Sequence, residues 1–336
     1  MNTLSFNEIF MDSTRYGTKL PSSEYLEIGK NIIVDQGKEE IAGYTDLNDG
    51  IYTDVPAIVF GDHTRIIKYI DKPFFLGADG TKILKSKLNN SNYKYLYYAL
   101  KNAYIPDTGY NRHFKWLKEV NIRIVDEKEQ NRIASELDKI NDIIVKQNSK
   151  MKLLDELVKA RFVEMFDKYE KNISFDKVIT DNTKKGYKFD SSNYKKEGAV
   201  SIVDQGKELI CGYKEKEIDK EPWSEECIIF GDHTEIFKYI NFPIYLGADG
   251  TKILSISKSW NTRYVYYYLL LNYHHYGGYS RHFKYLKELF FSKPPIQLQE
   301  EFALFVQQID KSKFIIQKQL DETQKLFDKL MQDYFG

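Results

Sequence analysis

Two aspartates and two histidines form the set of side chains in this sequence with the clearest potential for catalysis. Asp62, His63, Asp79 and His113 each recur in the second half of the chain. Carboxylate and imidazole groups can ligate a metal ion or act as a general base. This set defines one hypothesis, a metal-dependent nuclease or hydrolase with duplicated sites. Asp62 and Asp79 also lie in turn sequences beside glycine, so a structural role is the stronger explanation for them.

A second acidic pattern has the outline of a metal-dependent nuclease site, in which carboxylates hold Mg²⁺ and a lysine stabilises charge. It consists of Pro106-Asp107 followed by Asp126-Glu127-Lys128, but the equivalent later positions hold His275-Tyr276 and Pro295-Ile296-Gln297. The sequence also lacks the G-x-x-x-x-G-K-[ST] phosphate loop, the G-x-G-x-x-G fingerprint, the G-x-S-x-G elbow and an Asn-Pro-Pro-Tyr methyltransferase signature. These observations predict no catalytic residue and no metal site in this chain.

Duplicated polar and basic side chains give the sharper signal. Arginine can pair bidentately with guanine and glutamine with adenine, while lysine contacts phosphate, so such a set is suited to binding double-stranded DNA. The predicted DNA-binding residues are Gln36, Lys38, His63, Thr64, Lys82, Tyr110, Arg112, His113 and Lys115, and in the second half Gln205, Lys207, His233, Thr234, Lys252, Tyr279, Arg281, His282 and Lys284. Loops 45–56 and 214–226 have diverged thoroughly, so retention of these residues favours a shared function.

These residues belong to a repeat that occupies half of the 336-residue chain. Equivalent residues lie 169 or 170 positions apart, as for Arg112 and Arg281 (281 − 112 = 169) or Gly61 and Gly231 (231 − 61 = 170). A unit of this length is a whole domain, because solenoid repeats have only about 20 to 50 residues. The repeat therefore predicts two similar domains, an arrangement suited to a ligand with two similar halves.

Short apolar runs in each repeat predict a mixed α/β (α+β) domain. Ala57-Ile58-Val59-Phe60 and Pro73-Phe74-Phe75-Leu76 are typical of strands. Asp79-Gly80 stands between the second run and Thr81-Lys82-Ile83-Leu84, which predicts a β-hairpin. Residues 93–100 and their copy 262–271 are apolar and rich in tyrosine without strand alternation, which predicts one helix packed on each sheet.

The last part of each repeat has a heptad pattern of apolar residues, which predicts two long helices. From Ile133, a helix of about 34 residues would be on the order of 50 Å long, so each helix would extend beyond its own domain. Its natural partner is the other helix in an antiparallel pair. The predicted helix-pairing residues are Leu137, Ile140, Ile144, Met151, Leu154, Val158, Val306, Ile309, Ile316, Leu320, Phe327 and Leu330.

Composition limits the setting of the protein. Lysine plus arginine equals aspartate plus glutamate at 49 each, so net charge alone would not attract the chain to nucleic acid or anionic lipid. Cys211 and Cys227 both lie in the second repeat, and their counterparts are not cysteines, which argues against disulfides or a zinc cluster. No stretch of about 18 apolar residues and no leader pattern occurs. These features predict a soluble cytoplasmic protein without a membrane partner.

The order of domain, long helix, domain and long helix resembles the specificity (S) subunit of Type I restriction-modification systems over essentially the whole chain. Such subunits usually have a Pro-Pro-Leu-x-x-Gln-like sequence at the start of each long helix. The second repeat has Pro294-Pro295-Ile296 with Gln299, whereas the first repeat has Ile124-Val125-Asp126 and keeps only Gln130, Arg132 and Ile133. The stretches 109–115 and 278–284 resemble the end of a target recognition domain of this family.

The resemblance implies target recognition domains at 1–121 and 169–290, and conserved spacer helices at 122–168 and 291–336. It further implies a non-enzymatic subunit that recognises a bipartite DNA site and binds two methyltransferase subunits and the restriction subunits. S-adenosylmethionine, ATP and Mg²⁺ would then be bound by those partners and no cofactor by this chain. Because the two domains are so alike, we expect an interrupted, nearly palindromic site. A coiled-coil scaffold whose domains bind protein is a third alternative, beside the nuclease.

Overall fold

The structure is a computed structural model that describes residues 2–77, 79–247, 249–278 and 280–336. The chain divides into two compact units. The first unit runs through Asn148 and also includes Lys318–Gly336, and the second unit is Ser149–Gln317. Each unit contains one α/β domain and parts of two long helices. The mixed α/β class predicted from the sequence is confirmed, whereas the predicted domain limits at 121, 168 and 290 remain predictions.

The α/β domain of the first unit contains nine strands and three α-helices among its described residues, besides two single-turn 3-10 helices. In chain order they are β1 (Asn2–Ser5), α1 (Phe6–Ile9), β2 (Phe10–Asp12), β3 (Asn31–Val34), β4 (Gly43–Thr45), β5 (Ala57–Gly61), β6 (Ile67–Ile70), β7 (Phe74–Leu76), β8 (Thr81–Ser86), α2 (Tyr93–Asn102), α3 (Phe114–Leu117) and β9 (Asn121–Ile124). The first long helix, α4 (Glu127–Phe166), follows. The strands form the antiparallel pair β1-β9, a four-stranded sheet β2-β8-β5-β6 and a three-stranded sheet β4-β3-β7.

The second unit repeats these elements in the same order. They are β10 (Lys171–Ser174), α5 (Phe175–Val178), β11 (Ile179–Asp181), β12 (Val200–Val203), β13 (Gly212–Lys214), β14 (Cys227–Gly231), β15 (Phe237–Ile240), β16 (Ile244–Leu246), β17 (Thr251–Ile256), α6 (Thr262–Asn272), α7 (Phe283–Leu286) and β18 (Phe290–Ser292). The second long helix is α8 (Ile296–Phe335). The sheets are β10-β18, β11-β17-β14-β15 and β13-β12-β16, so the topology is duplicated together with the sequence.

Strand β5 of the first unit lies between two apolar clusters. Its side chains alternate between faces, as in any strand. Ile58 and Phe60 pack with α2 and the long helices, whereas Ala57 and Val59 pack with β3 and β7 of the other sheet. Because both faces are covered, the strand is apolar at every position up to Gly61 instead of alternating with polar residues. The predicted strand at 57–60 and the predicted helices at 93–100 and 262–271 are confirmed.

The hairpin predicted around Asp79-Gly80 is wrong. Strand β7 pairs in parallel with β3 of the three-stranded sheet, and β8 pairs with β2 and β5 of the four-stranded sheet. The chain therefore passes from one sheet to the other at this point. Gly80 has φ +93°, a conformation that favours glycine, so the turn chemistry was recognised correctly. A turn signal does not specify which strands it connects by hydrogen bonds.

Within each unit the long helices run antiparallel. In the first unit, Arg132 near the start of α4 donates to the hydroxyl of Tyr334 near the end of α8 (3.3 Å). In the second unit, Arg161 near the end of α4 contacts Glu301 near the start of α8 (3.1 Å). Among the described residues, neither these helices nor any other combines the length and the apolar character needed to cross a bilayer.

The twelve predicted helix-pairing residues occupy the less exposed positions of these helices. Leu137, Val158, Val306, Ile316 and Phe327 are buried. The partly buried members are Ile140, Ile144, Met151, Leu154, Ile309, Leu320 and Leu330. Their burial is that expected for the apolar face of a heptad helix.

A buried glutamine links the start of each long helix to the helix on the sheet. Gln299 accepts a hydrogen bond from Asn261 N (2.9 Å) and donates to Pro294 O (2.9 Å). Gln130 forms the equivalent bonds with Asn92 N (3.0 Å) and Val125 O (2.8 Å). The amide side chain satisfies one donor and one acceptor that would otherwise be buried and unpaired. This geometry explains why glutamine is retained where the preceding proline pair is not.

Replacing Gln299 with alanine is expected to lower the free energy of unfolding of the second unit by about 1 to 2 kcal/mol, because two buried backbone groups lose their partner. Gln299 is fully buried. Gln307→Ala, at an exposed position on the same helix, is the control. Denaturant unfolding of both variants measures the difference, and equal stability of the two would contradict the role given to Gln299.

Candidate nucleic-acid interface

A glutamine beside strand β3 organises the polar surface of the first unit. Gln36 Nε2 donates to Asp79 O (3.0 Å), and its Oε1 accepts from His63 N (3.2 Å). Thr64 Oγ1 donates to Gln36 O (2.6 Å). These bonds join the loop after β3, the β5–β6 turn and the β7–β8 connection. The amide of Gln36 is thus engaged within the protein, which favours a positioning role over the predicted base contact.

The same arrangement recurs in the second unit. Gln205 Nε2 donates to Asp249 O (2.9 Å), and Gln205 Oε1 accepts from His233 N (3.2 Å). The close fit requires glycine: a Cβ on Gly250, which has φ +88°, would lie 2.7 Å from the His233 ring and 2.8 Å from Gln205 Oε1. Local sequence therefore fixes the backbone of this surface in both units.

Of the retained aspartates and histidines, Asp62, His113 and their copies Asp232 and His282 are buried structural residues. Asp62 Oδ1 accepts from Phe114 N (2.7 Å), and His113 Nδ1 lies 3.0 Å from Asp62 O. Asp232 accepts from Phe283 N in the same way (2.8 Å). His113 and His282 have no exposed surface. Their burial favours a structural role over the predicted direct contact with DNA.

The remaining predicted DNA-binding residues are accessible to differing degrees. The exposed ones are Lys38, Thr64, Tyr110, Arg112, Lys115, Lys207, Thr234, Arg281 and Lys284. The partly buried ones are Gln36, His63, Lys82, Gln205, His233 and Lys252. Tyr279 lies outside the described residues. Each unit therefore presents an arginine, two exposed lysines and a threonine at equivalent positions.

Aromatic and charged contacts link some of these residues in the first unit. The Tyr110 ring stacks on His63 with centroids 4.9 Å apart and an interplanar angle of 11°. Lys19 Nζ lies 2.9 Å from Asp79 Oδ1. The hydrogen bond and charge of Lys19, with the more distant charge of Arg112, hold the pKa of Asp79 below its usual range. The Asp79 carboxylate thus stays charged at neutral pH.

Lys82 is held by an aspartate that sequence comparison alone did not single out. Its Nζ lies 3.3 Å from Asp12 Oδ2 and 5.2 Å from the centre of the Phe114 ring. Lys252 has the same neighbours, Asp181 at 4.0 Å and Phe283 at 5.1 Å. Asp12 and Asp181 are 169 positions apart (181 − 12 = 169), as are Lys19 and Lys188, so the repeat contained the signal for both.

Replacing Asp12 with asparagine is expected to make the first unit less sensitive to acid. Partial burial raises the pKa of Asp12, but hydrogen bonds from Thr14 and the charge of Lys82 outweigh it and lower that pKa below its usual value. A carboxyl whose pKa is lower in the folded state than in the unfolded chain stabilises the fold above the unfolded-state pKa, about 3.9 for aspartate. This stabilisation is lost as the pH falls through the folded-state pKa. The unfolding temperature of both proteins, measured from neutral to acidic pH, tests this. If it fell with pH as steeply in the variant as in the wild type, the prediction would be contradicted.

Possible metal ligands are the next feature of this surface. Within the described ranges, no cluster of three histidine, cysteine, aspartate or glutamate side chains has ligand geometry. Asp62 and His113 are occupied with backbone groups, as described above. The geometry therefore gives the duplicated nuclease hypothesis no positive support.

Comparison with solved structures places this architecture among known folds. The chain superposes with a TM-score of 0.65 on the crystal structure of a Type I restriction-modification system S subunit from M. genitalium, at 18% identity, covering 100% of this chain and 96% of that one. The fold is that of a Type I S subunit. A second structure with this fold, from work on complex assembly and conformational transition of the type I R-M system, gives a TM-score of 0.50 at 12% identity, covering 99% and 97% of the chains.

The S-subunit fold is not accompanied by close sequence similarity. No family model matches the sequence, and no curated protein matches it. The likeness therefore concerns architecture, which extends over the whole chain.

Proposed function

We propose that this chain is the DNA sequence-specificity subunit of a Type I restriction-modification complex. Each α/β domain would bind one half of a bipartite site, and the long helices would set the number of base pairs between the halves. The chain itself would perform no catalysis. It would act in the cytoplasm, where the target DNA of such a complex is found.

One observation supports this proposal above the others: a chain with the S-subunit fold presents the same exposed cations at equivalent positions of both domains. The exposed Arg112 precedes α3 and the exposed Lys115 lies in it, and Arg281 and Lys284 have the same places at α7. Arginine can recognise guanine in the major groove, and lysine contacts phosphate. Lys115 and Lys284 each lie over the ring of the next residue, Trp116 (5.0 Å) and Tyr285 (4.6 Å), but such exposed contacts add little to stability, so a common ligand is the simplest explanation for the retained cations.

Partner subunits would complete the complex. Exposed apolar side chains on the long helices of the second unit, Leu153 (62%), Phe314 (73%) and Ile315 (56%), support docking of a protein there. The partners would be two methyltransferase subunits and the restriction subunits, which would bind S-adenosylmethionine, ATP and Mg²⁺. Their phosphate contacts would also offset the zero net charge of this chain, so weak DNA binding by the isolated chain is expected.

The duplicated topology supports a nearly palindromic site. Domains that share their strand order and their exposed cations would bind similar sequences, in opposite orientations if a twofold axis relates them. The expected target is therefore two similar half-sites separated by a non-specific spacer.

Co-purification and methylation mapping test the proposal together. The chain, expressed in its host with an affinity tag, is expected to purify with a methyltransferase subunit, and methylated adenines in host DNA are expected to define an interrupted site that disappears when the gene is deleted. Metal-dependent cleavage of DNA by the purified chain alone would instead support the nuclease alternative. A complex without any sequence preference would support the scaffold alternative.

A further inference from the structure

The residue that follows the β5–β6 turn differs in charge between the two units although its surroundings are retained. Arg65 follows Gly61-Asp62-His63-Thr64, and Glu235 follows the identical sequence 231–234. Both residues have a left-handed backbone, with φ 62° and 57°. Their N–H groups donate to Gly61 O (2.7 Å) and Gly231 O (2.8 Å). The same unusual conformation thus aims two opposite charges in an equivalent direction.

Arg65 binds the loop that precedes Arg112 through acceptor groups. Its guanidinium donates to Ile105 O (3.2 Å) and to Asp107 Oδ2 (2.6 Å). Asp107 Oδ1 accepts from Gly109 N (3.0 Å). Gly109, which has φ +75°, lies three residues before the exposed Arg112. A cation therefore anchors this loop.

Glu235 binds the corresponding loop before Arg281 through donor groups. Its carboxylate accepts from Tyr276 N (2.9 Å) and Gly277 N (2.7 Å), and the residue is only 4% exposed. Desolvation raises the pKa of Glu235, but the two backbone donors outweigh it and lower the pKa below its usual value. An anion anchors this loop, and Tyr276 replaces the aspartate that Arg65 contacts in the first unit.

The change of anchor alters the rest of each loop. In the first unit the retained His113 directs Nδ1 to Asp62 O (3.0 Å), whereas His282 Nδ1 lies 3.6 Å from Glu235 Oε1. The second loop contains two consecutive left-handed glycines, Gly277 (φ 66°) and Gly278 (φ 79°), where the first contains Gly109 alone. The loops consequently differ in backbone path as well as in side chains.

We propose that Arg65 and Glu235 are positioning residues that hold the loops before Arg112 and Arg281 in two different conformations, so that the two half-sites differ at the base pairs these loops meet. This inference rests on the proposed function and refines it: the target is nearly palindromic through the retained cations and departs from symmetry through the anchored loops. Neither side chain needs to touch DNA for this effect.

Amide hydrogen exchange on the full chain tests the anchors without DNA. Glu235→Gln is expected to speed exchange at Tyr276 and Gly277 by roughly tenfold, because a charged acceptor is replaced by a neutral one. Arg65→Gln is the matched variant. It is expected to leave the exchange rates of those two amides unchanged and to speed exchange in residues 105–109. Unchanged exchange in both loops would overturn the positioning role.

Selection from a random-sequence duplex library, with the chain in the complex that it forms in its host, tests the half-sites. Wild type is expected to select half-sites that differ at a minority of positions, and each glutamine variant to relax one half-site at those positions by about fivefold, leaving the other intact. Glu235→Arg combined with Tyr276→Asp rebuilds the first anchor in the second unit and is expected to shift the second half-site towards the first.

The outcomes separate the inference from the function on which it rests. Identical half-sites in wild type, or a double variant that leaves the second half-site as it was, would overturn the inference and leave the specificity subunit intact. Selection of no sequence at all by wild type would overturn the proposed function, and with it the statement about half-sites.

Discussion

Replacing Phe162 with alanine is expected to lower the free energy of unfolding of the second unit by about 3 to 5 kcal/mol. Phe162 lies on α4 and is 5% exposed. Its ring centroid is 5.6 Å from that of Tyr264 on α6 and 5.3 Å from that of Phe302 on α8. The substitution removes the ring from the place where both long helices meet the domain. The variant loses the free energy that was gained by burying the ring. It also leaves a cavity that the surrounding side chains fill only in part.

Native-state hydrogen exchange measures this loss, because a chain with two units need not unfold in one step. Leu153→Ala is the control, since Leu153 lies on the same helix and is 62% exposed. The control is expected to change the stability by less than about 1 kcal/mol. A similar small effect for Phe162→Ala would mean that α4 is not part of the core of the second unit.

Replacing Arg112 or Arg281 with alanine is expected to weaken sequence discrimination at one half-site by about 1 to 3 kcal/mol. Both arginines are exposed and lie two residues before α3 and α7. A guanidinium that pairs bidentately with guanine loses both bonds on truncation, and discrimination falls at that base pair alone. Each variant should therefore affect one half-site and leave the other unchanged.

Lys115→Ala and Lys284→Ala are matched controls, because these exposed lysines follow three positions later in each unit. A phosphate contact contributes similarly to all sequences, so these variants are expected to weaken binding and its salt dependence without changing preference. Methylation by the assembled complex reports both properties. Retention of the wild-type preference in both arginine variants would show that other residues recognise the bases.

The long helices were predictable from sequence because their signal is local. A heptad pattern places apolar residues on one face whatever the partner, and helices of 40 residues, Glu127–Phe166 and Ile296–Phe335, are observed. The Asp79-Gly80 turn shows the opposite case. Its glycine conformation was local, but the partner of β7 is β3, more than 40 residues earlier, and pairing over such a distance leaves no local pattern.

Only part of the candidate site was predictable from the sequence, because the signal used was identity between the two repeats. Identity between the repeats marks any position with a shared constraint, and it does not distinguish an internal hydrogen bond from a contact with a ligand. Gln36 and His113 are retained with their copies, yet the amide of Gln36 bridges two loops and His113 is buried against Asp62. Arg65 and Glu235 escaped notice because they differ, although both anchor the equivalent loop.

The two units are built from the chain in different ways, and this affects the order in which they can fold during synthesis. The second unit is one uninterrupted stretch, Ser149–Gln317, whereas the first requires Lys318–Gly336 and buries Phe327 and Met331 from that segment in its core. Residues emerge from the ribosome in order, so the core of the first unit cannot close before residues 318–336 of α8 have been made. The second unit is therefore expected to mature first, and the first unit to stay open to chaperones and proteases until residues 318–336 have emerged.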